Sequence, residues 1–339
     1  RGGLKALSQQ GHDRKLKFGL WFEPEMISED SELYKKHPDY ALQVPGRGMT
    51  PSRGQYVLDF SRKEVVDNIF NQMTKILDNV DIDYVKWDMN RHLTEVYSTE
   101  LPADRQGEVS HRYVLGVYDL AQRITSRYPD ILFEGCSGGG GRFDAGMLYY
   151  FPQSWTSDNT DAVARLKIQY GSSLSYPVSS MTAHVSVSPN QQTGRQTSFE
   201  MRGDVAMAAV FGYELNLADL SDKEKEIVKS QIKFYKKHRQ LIQYGDFIRL
   251  KSPFDGNQTA WEFVSPDKKE LLLYRYKLIS QAQPEFTLTK LAALDPDKIY
   301  LADDKKRYAG DELMNIGLYD TPIQLADWTS RVDYFQAEN

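Results

Sequence analysis

From residue 15 to about residue 245, short apolar runs alternate with stretches of helical periodicity. That alternation confines the chain to a parallel sheet with helices packed on it, an α/β fold. Lys17-Phe18-Gly19-Leu20-Trp21-Phe22 reads as a buried strand. Ser61-Arg62-Lys63-Glu64 has the spacing of a capping box, and Val65, Val66, Ile69, Phe70, Met73, Ile76, Leu77 and Val80 follow at helical spacing. Tyr84 to Trp87 is the next predicted strand. A helix through Val114, Val117, Ala121 and Ile124 stops at Pro129, and the strand Ile131-Leu132-Phe133-Glu134 comes after it. Further strands are expected at 153–155, 175–178 and 213–217. Capping boxes at Thr197-Ser198-Phe199-Glu200 and Ser221-Asp222-Lys223-Glu224 open two more helices, the second reaching about Gln243. Six strands are visible on this reading, whereas a closed (β/α)₈ TIM barrel has eight. Either the sheet is open or the chain lacks the first two βα units.

Near Asp246 the pattern changes. Phe247–Leu250, Ala260–Val264, Leu271–Tyr276, Ile299–Leu301 and Val332–Phe335 are short strand-like runs divided by Pro, Asp, Gly and Asn. Such a series reads as a small antiparallel β-sandwich. Two domains are therefore expected, an N-terminally incomplete barrel over 1–245 and a sandwich over 246–339, and 339 residues suffice for both.

Net charge is −5 without a long basic run, which argues against nucleic acid or an anionic membrane as partner. No stretch approaches the roughly 18–20 apolar residues of a membrane span. The single cysteine, Cys136, rules out an intrachain disulfide and fits a reducing compartment, so a cytoplasmic location is expected. The 21 Tyr, 15 Phe and 5 Trp suit either a packed core or the aromatic faces of a sugar site.

Two acidic strings stand where predicted strands run out into loops: Tyr84-Val85-Lys86-Trp87-Asp88-Met89-Asn90 and Trp155-Thr156-Ser157-Asp158-Asn159-Thr160-Asp161. Alternation along a strand puts Tyr84, Lys86, Asp88 and Asn90 on one face. A cation two residues away favours an ionised Asp88, suited to act as nucleophile; a buried ion pair or a helix cap would use the same residues. Asp161 precedes a helical segment and is the better cap, which leaves Asp158 for chemistry. Two carboxylates on different strand ends of one barrel are the minimum equipment for cleaving a glycosidic bond, provided that they hold different protonation states at one pH.

Other chemistries fit less well. Gly135-Cys136-Ser137-Gly138-Gly139 matches a nucleophile elbow, but Gly140 and Gly141 follow where the elbow must turn into a helix. The four glycines suggest backbone close to a ligand, and no Gly-Lys-Ser/Thr follows to make them a phosphate loop. The six histidines show no HExxH or close pairing, and with one cysteine no metal site is expected. Glu23, after the first strand, is a reserve candidate for an acid.

At this point the sequence resembles glycoside hydrolase family 36, the bacterial retaining α-galactosidases. The resemblance is carried in order by Phe18-Gly19-Leu20-Trp21-Phe22-Glu23-Pro24-Glu25-Met26, Lys86-Trp87-Asp88-Met89-Asn90-Arg91, Glu134 through Asp144, and Trp155-Thr156-Ser157-Asp158. It implies a TIM barrel followed by a β-sandwich, with Asp88 as nucleophile and Asp158 as acid/base. It also implies that Trp21, Arg53, Lys86, Asn90, Cys136 and Gly138 line a galactose pocket. Members usually carry a large N-terminal β-sandwich and two earlier barrel strands with an aspartate pair, which the resemblance would place before Arg1. The expected activity is hydrolysis of terminal α-linked galactose from melibiose- or raffinose-type oligosaccharides, with retention, which needs the carboxyl groups about 5–5.5 Å apart. No metal or organic cofactor is implied, and the resemblance suggests a homotetramer. A galactosyl transferase on the same scaffold and an inactive or truncated sugar-binding barrel are the rival readings.

Overall fold

The computed structural model describes residues 2–283, 286–319 and 326–338. Two compact units divide the chain, Arg1–Trp155 and Thr156–Asn339.

The first unit opens with helix α1 (Gly3–His12) and strand β1 (Gly19–Phe22). Strand β2 (Met26–Ser28), the short helix α2 (Glu32–Lys36) and strand β3 (Gln55–Val57) follow, β2 and β3 pairing antiparallel in a loop after β1. Then come helix α3 (Lys63–Leu77), strand β4 (Tyr84–Trp87), helix α4 (Val109–Arg127), strand β5 (Leu132–Gly135), helix α5 (Ala145–Tyr150) and strand β6 (Gln153–Trp155). Strands β1, β4, β5 and β6 pair in parallel, in chain order. This is the arrangement the strand–helix alternation requires.

Periodicity explains the helices. Val65, Val66, Ile69, Met73 and Leu77 form the buried face of α3, and Val109, Tyr113, Val117, Leu120, Ala121 and Ile124 that of α4. Both faces join one core with Val85, Trp87, Phe133 and Phe151. Gly116 lets α4 come close: a Cβ there would stand 1.9 Å from the carbonyl oxygen of Phe60. Val85 and Trp87 are fully buried in that core, so Tyr84 and Lys86 project from the opposite face of β4.

In the second unit, helix α6 (Ala162–Ser172) precedes strand β7 (Met181–Ser186), helix α7 (Phe199–Met207), strand β8 (Val210–Glu214) and helix α8 (Asp222–Tyr244). Strands β7 and β8 are parallel. Strands β9 (Asp246–Lys251), β10 (Gln258–Val264) and β11 (Glu270–Lys277) follow, then β12 (Leu288–Thr289), β13 (Ile299–Ala302) and β14 (Arg307–Ala309). Helix α9 (Gly310–Asn315), β15 (Leu318–Tyr319) and β16 (Thr329–Ala337) complete the unit. An antiparallel sheet runs β14-β13-β16-β11-β10-β9, and β12 pairs with β15. Leu271, Leu273, Leu291, Leu313 and Phe335 fill its core.

The capping box at Ser221 is present, its hydroxyl accepting from the Glu224 N–H while Glu224 accepts from the Ser221 N–H. Two other predicted boxes are not. Ser61 is engaged by Asp59, which accepts from both its N–H and its hydroxyl, so α3 starts after Arg62 without a side-chain cap. Ser198, one residue later than predicted, caps α7 by accepting from the Met201 N–H. The strand expected at 175–178 is instead a turn around Pro177, and the strand proper begins at Met181. The one expected at 213–217 lies three residues earlier, at Val210–Glu214. Among the described residues no helix is long and apolar enough to cross a membrane.

Candidate active site

In the first unit, strand register builds a row of polar side chains. Trp21 on β1 pairs with Lys86 on β4, Lys86 with Glu134 on β5, and Glu134 with Gln153 on β6. Partners in a parallel ladder project to the same face, so the four stand side by side. Lys86 Nζ lies 3.0 Å from Glu134 Oε1 and 4.8 Å above the Trp155 ring. Tyr84 donates its hydroxyl to Glu134 Oε2, and Gln153 Nε2 donates to the Tyr84 oxygen at 2.9 Å. Burial works against the charge on Lys86, but Glu134, with Cys136 and Asp88, outweighs it and the pKa lies above the ordinary lysine value. Lys86 stands near Asp88 as expected and feels its charge, but its ion-pair partner is Glu134, a residue 48 positions further on in the chain.

Asp88 stands one step beyond that row, just past the end of β4, and is 6% exposed. Three N–H groups satisfy its carboxylate. Trp21 Nε1 donates to Oδ2 at 3.2 Å, Asn90 Nδ2 to Oδ2 at 2.7 Å, and the Met89 N–H to Oδ1 at 2.8 Å. Its own N–H donates to the Phe22 carbonyl at 2.8 Å, anchoring it to β1. Trp21, half exposed, thus offers its N–H to the carboxylate while leaving ring surface accessible.

Cys136 follows β5, and its thiol is buried. Burial pushes that thiol up to about 12, with Lys86 pulling it down and Asp88 pushing it further up. It is a neutral thiol at neutral pH rather than a reactive thiolate. Gly138 and Gly139 take φ of 52° and 86°, conformations that a side chain would strain. The chain then runs on to Ala145 before a helix begins, and Ser137 donates its hydroxyl to the Met89 carbonyl at 2.8 Å. An elbow that turns straight into a helix is thereby excluded, and with it the serine-hydrolase reading.

Arg53 has φ of 54° and is followed by Gly54 at 73°, two left-handed residues in succession. Its guanidinium, 56% exposed, reaches Glu23 Oε1 at 3.4 Å. Beneath, Glu25 is fully buried and accepts from Trp87 Nε1 at 3.0 Å, from Tyr113 at 2.6 Å and from Arg142 at 2.9 Å. This ties the loop after β1 to β4, to α4 and to the loop after β5. The first unit therefore brings Trp21, Lys86, Asp88, Asn90 and Cys136 together, with Arg53 joined through Glu23.

In the second unit, the segment from Thr156 carries Asp158, exposed, its carbonyl accepting from Gln192 Nε2 at 2.9 Å. Asn159 donates its N–H to Ser157 Oγ at 3.1 Å, and Asp161 donates its N–H to Asn159 Oδ1 at 3.1 Å, which shapes the turn. Arg165 fixes the segment from below, donating to the Ser157 carbonyl at 3.3 Å and to the Thr182 carbonyl at 2.7 Å. Asp161 has the structural part assigned to it: it is buried, accepts from the Val163 N–H at 3.0 Å as cap of α6, and pairs with Arg195. Replacing Asp161 with alanine is expected to lower stability by about 2 kcal/mol, most of it from the lost cap. Equilibrium urea unfolding checks this, and an unchanged midpoint would contradict the capping role.

Sequence reasoning missed Glu134, and it held Glu23 only as a reserve acid without its bonds to Asn90 and Arg53. Alternation could have found Glu134, since buried Phe133 sends its neighbour to the other face, but the lysine it meets is set only by strand register.

Strands alternating with helices, carboxylates placed just beyond strand ends and an antiparallel sheet after them are the arrangement of the barrel-type glycoside hydrolase class. The Melibiase family model matches residues 1–245, and that of the Glycosyl hydrolase family 36 C-terminal domain matches 258–335. The chain belongs to glycoside hydrolase family 36, whose fold is an α/β TIM barrel followed by a β-sandwich. Alpha-galactosidase 1 of Pediococcus pentosaceus is 58% identical over 99% of this chain and 46% of its own length. Alpha-galactosidase AgaA of Geobacillus stearothermophilus has a crystal structure that superposes with a TM-score of 0.97 at 51% identity, over 99% of this chain and 47% of that one. A substituted form of AgaA in complex with raffinose matches with a TM-score of 0.97 at 50% identity, over the same shares. The chain thus spans about half the length of the relatives it matches.

Proposed function

We propose that the chain carries the catalytic centre of a retaining α-galactosidase, with Asp88 as nucleophile and Asp158 as acid/base. The observation that carries this reading is the Asp88 carboxylate itself: buried, held by three N–H donors, and set on the face that also bears Trp21, Lys86 and Asn90. Relatives named as α-galactosidases, one of them crystallised with raffinose, support galactose as the sugar.

In the first step an Asp88 oxygen forms a bond to the anomeric carbon while the glycosidic C–O bond breaks. The electron pair leaves with the departing oxygen, which takes the proton of Asp158. In the second step Asp158 accepts a proton from water, the water oxygen bonds to the anomeric carbon, and the ester bond to Asp88 breaks. Two displacements at one carbon restore its original configuration. Trp21, Arg53, Lys86, Asn90, Cys136 and Gly138 line the pocket for the galactosyl unit, which leaves melibiose- or raffinose-type oligosaccharides. Residues 1–245 form the catalytic part and 246–339 the sandwich, in a cytoplasmic homotetramer.

Proton NMR of the first product decides the stereochemistry. The full chain, incubated with an aryl α-galactoside in D₂O, is expected to release α-galactose first, with the β-anomer growing in only by mutarotation. β-Galactose appearing first would refute retention, and no release of galactose would refute the activity.

A further inference from the structure

Glu23 is the second residue after Trp21, so both leave the end of β1 on the same side. Its side chain is 4% exposed, and a single oxygen carries all of its described hydrogen bonds. Oε1 accepts from Asn90 Nδ2 at 2.7 Å, from the Asn90 N–H at 3.3 Å and from Arg53 Nη1 at 3.4 Å. The same Asn90 Nδ2 donates to Asp88 Oδ2 at 2.7 Å. One amide nitrogen, with two hydrogens, therefore bridges two carboxylates.

This bridge fixes which way the amide faces. Turned over, Asn90 would present its oxygen to two anions and lose both donors. With Glu23 removed, only Asp88 would still select the orientation. Arg53 is too exposed for its pair with Glu23 to add much stability, but the pair directs a long, flexible type of side chain.

We infer that Glu23 is a positioning residue, whose carboxylate orients the Asn90 amide and through it holds Asp88 Oδ2, while aiming Arg53. The inference rests on the proposed nucleophile role of Asp88. It differs from a reserve proton donor in what the carboxylate is bonded to: every described hydrogen bond of Glu23 goes to Asn90 or Arg53.

Two substitutions in the full chain separate acceptor from charge. Glu23→Gln keeps an oxygen for Asn90 and loses the anion facing Arg53; Glu23→Ala loses both. On an aryl α-galactoside, Glu23→Ala is expected to lose about 100-fold in kcat, the scale of a displaced catalytic group. Glu23→Gln is expected to keep kcat within about tenfold of wild type while KM rises several-fold. A merely structural role would instead lower the active fraction and leave KM unchanged. Crystal structures of both variants give a readout independent of turnover: Asn90 Nδ2 remains on Asp88 Oδ2 in Glu23→Gln and leaves it in Glu23→Ala. Wild-type kcat in Glu23→Ala with Asn90 unmoved would overturn the inference. So would a Glu23→Gln protein that loses kcat with Asn90 still in place, a result that stands even if Glu23→Ala fails to fold. If the wild type hydrolyses no α-galactoside, the proposed activity falls, and the position of Asn90 in the two structures still decides the role of Glu23.

Discussion

Replacing Asp88 with alanine is expected to lower kcat/KM for an aryl α-galactoside by about 10⁴-fold or more. The size follows from the part assigned to it: without the carboxylate no glycosyl ester forms, and no other group replaces it. Its neighbours on that face cannot substitute. Lys86 is a cation held by Glu134, and the Cys136 thiol is neutral, pushed up to about 12. Trp21, Asn90 and the Met89 N–H only donate. Azide supplies a chemical signature as well as a rate. A small anion entering the space left by the side chain would attack from the nucleophile's side and give the inverted β-galactosyl azide. An Asp88→Ala protein within about tenfold of wild type would end the assignment.

The second large effect concerns Asp158, and there the substrate decides the size. For a raffinose-type substrate, whose leaving oxygen needs a proton, Asp158→Ala is expected to cost about 10³-fold, within the range of general acid catalysis. For an aryl galactoside with a good leaving group the first step needs little protonation, so the covalent intermediate forms and accumulates, and a burst of phenolate is seen. Azide needs no base and restores turnover, now with the retained α-galactosyl azide as product, because it attacks the face that water would use. The two azides together tell the carboxylates apart: β from Asp88→Ala and α from Asp158→Ala. The same azide from both variants, or an equal loss on both substrates for Asp158→Ala, would show the roles to be wrongly assigned.

How far the sequence could be read depended on where each interaction partner lies along the chain. Strands β4, β5 and β6 were legible because Val85, Trp87 and Phe133 are apolar and the flanking helices are strongly periodic. Strand β7 was not, because Met-Thr-Ala-His-Val-Ser mixes polar residues into a buried run, whereas Tyr176-Pro177-Val178 just before it has strand-like composition. Pro177 there begins a tight turn instead. The capping box at Ser221 was legible since all of its bonds are local, while the one at Ser61 failed to a competitor two residues upstream, Asp59. The capping role of Asp161 followed from local spacing, and Asp161 does cap α6. Lys86 was placed on one face with Asp88, but its ion-pair partner was not foreseen, because Glu134 reaches it only through parallel register. Glu23 was visible as a strand-end carboxylate, yet its use depends on Asn90, 67 residues away.

Arg53 and Gly54 both sit in left-handed backbone, and for the arginine that conformation costs of order 1 kcal/mol. The consequence concerns how such a loop can drift. A mutation at position 53 is filtered by main-chain geometry before its chemistry is tested: valine or isoleucine would fight the turn, while asparagine, aspartate and glycine would settle into it. New side-chain contacts at this spot would therefore be recruited from a narrow alphabet, and a randomised library at position 53, sorted for folded protein rather than for turnover, would return those three residues more often than their codons predict.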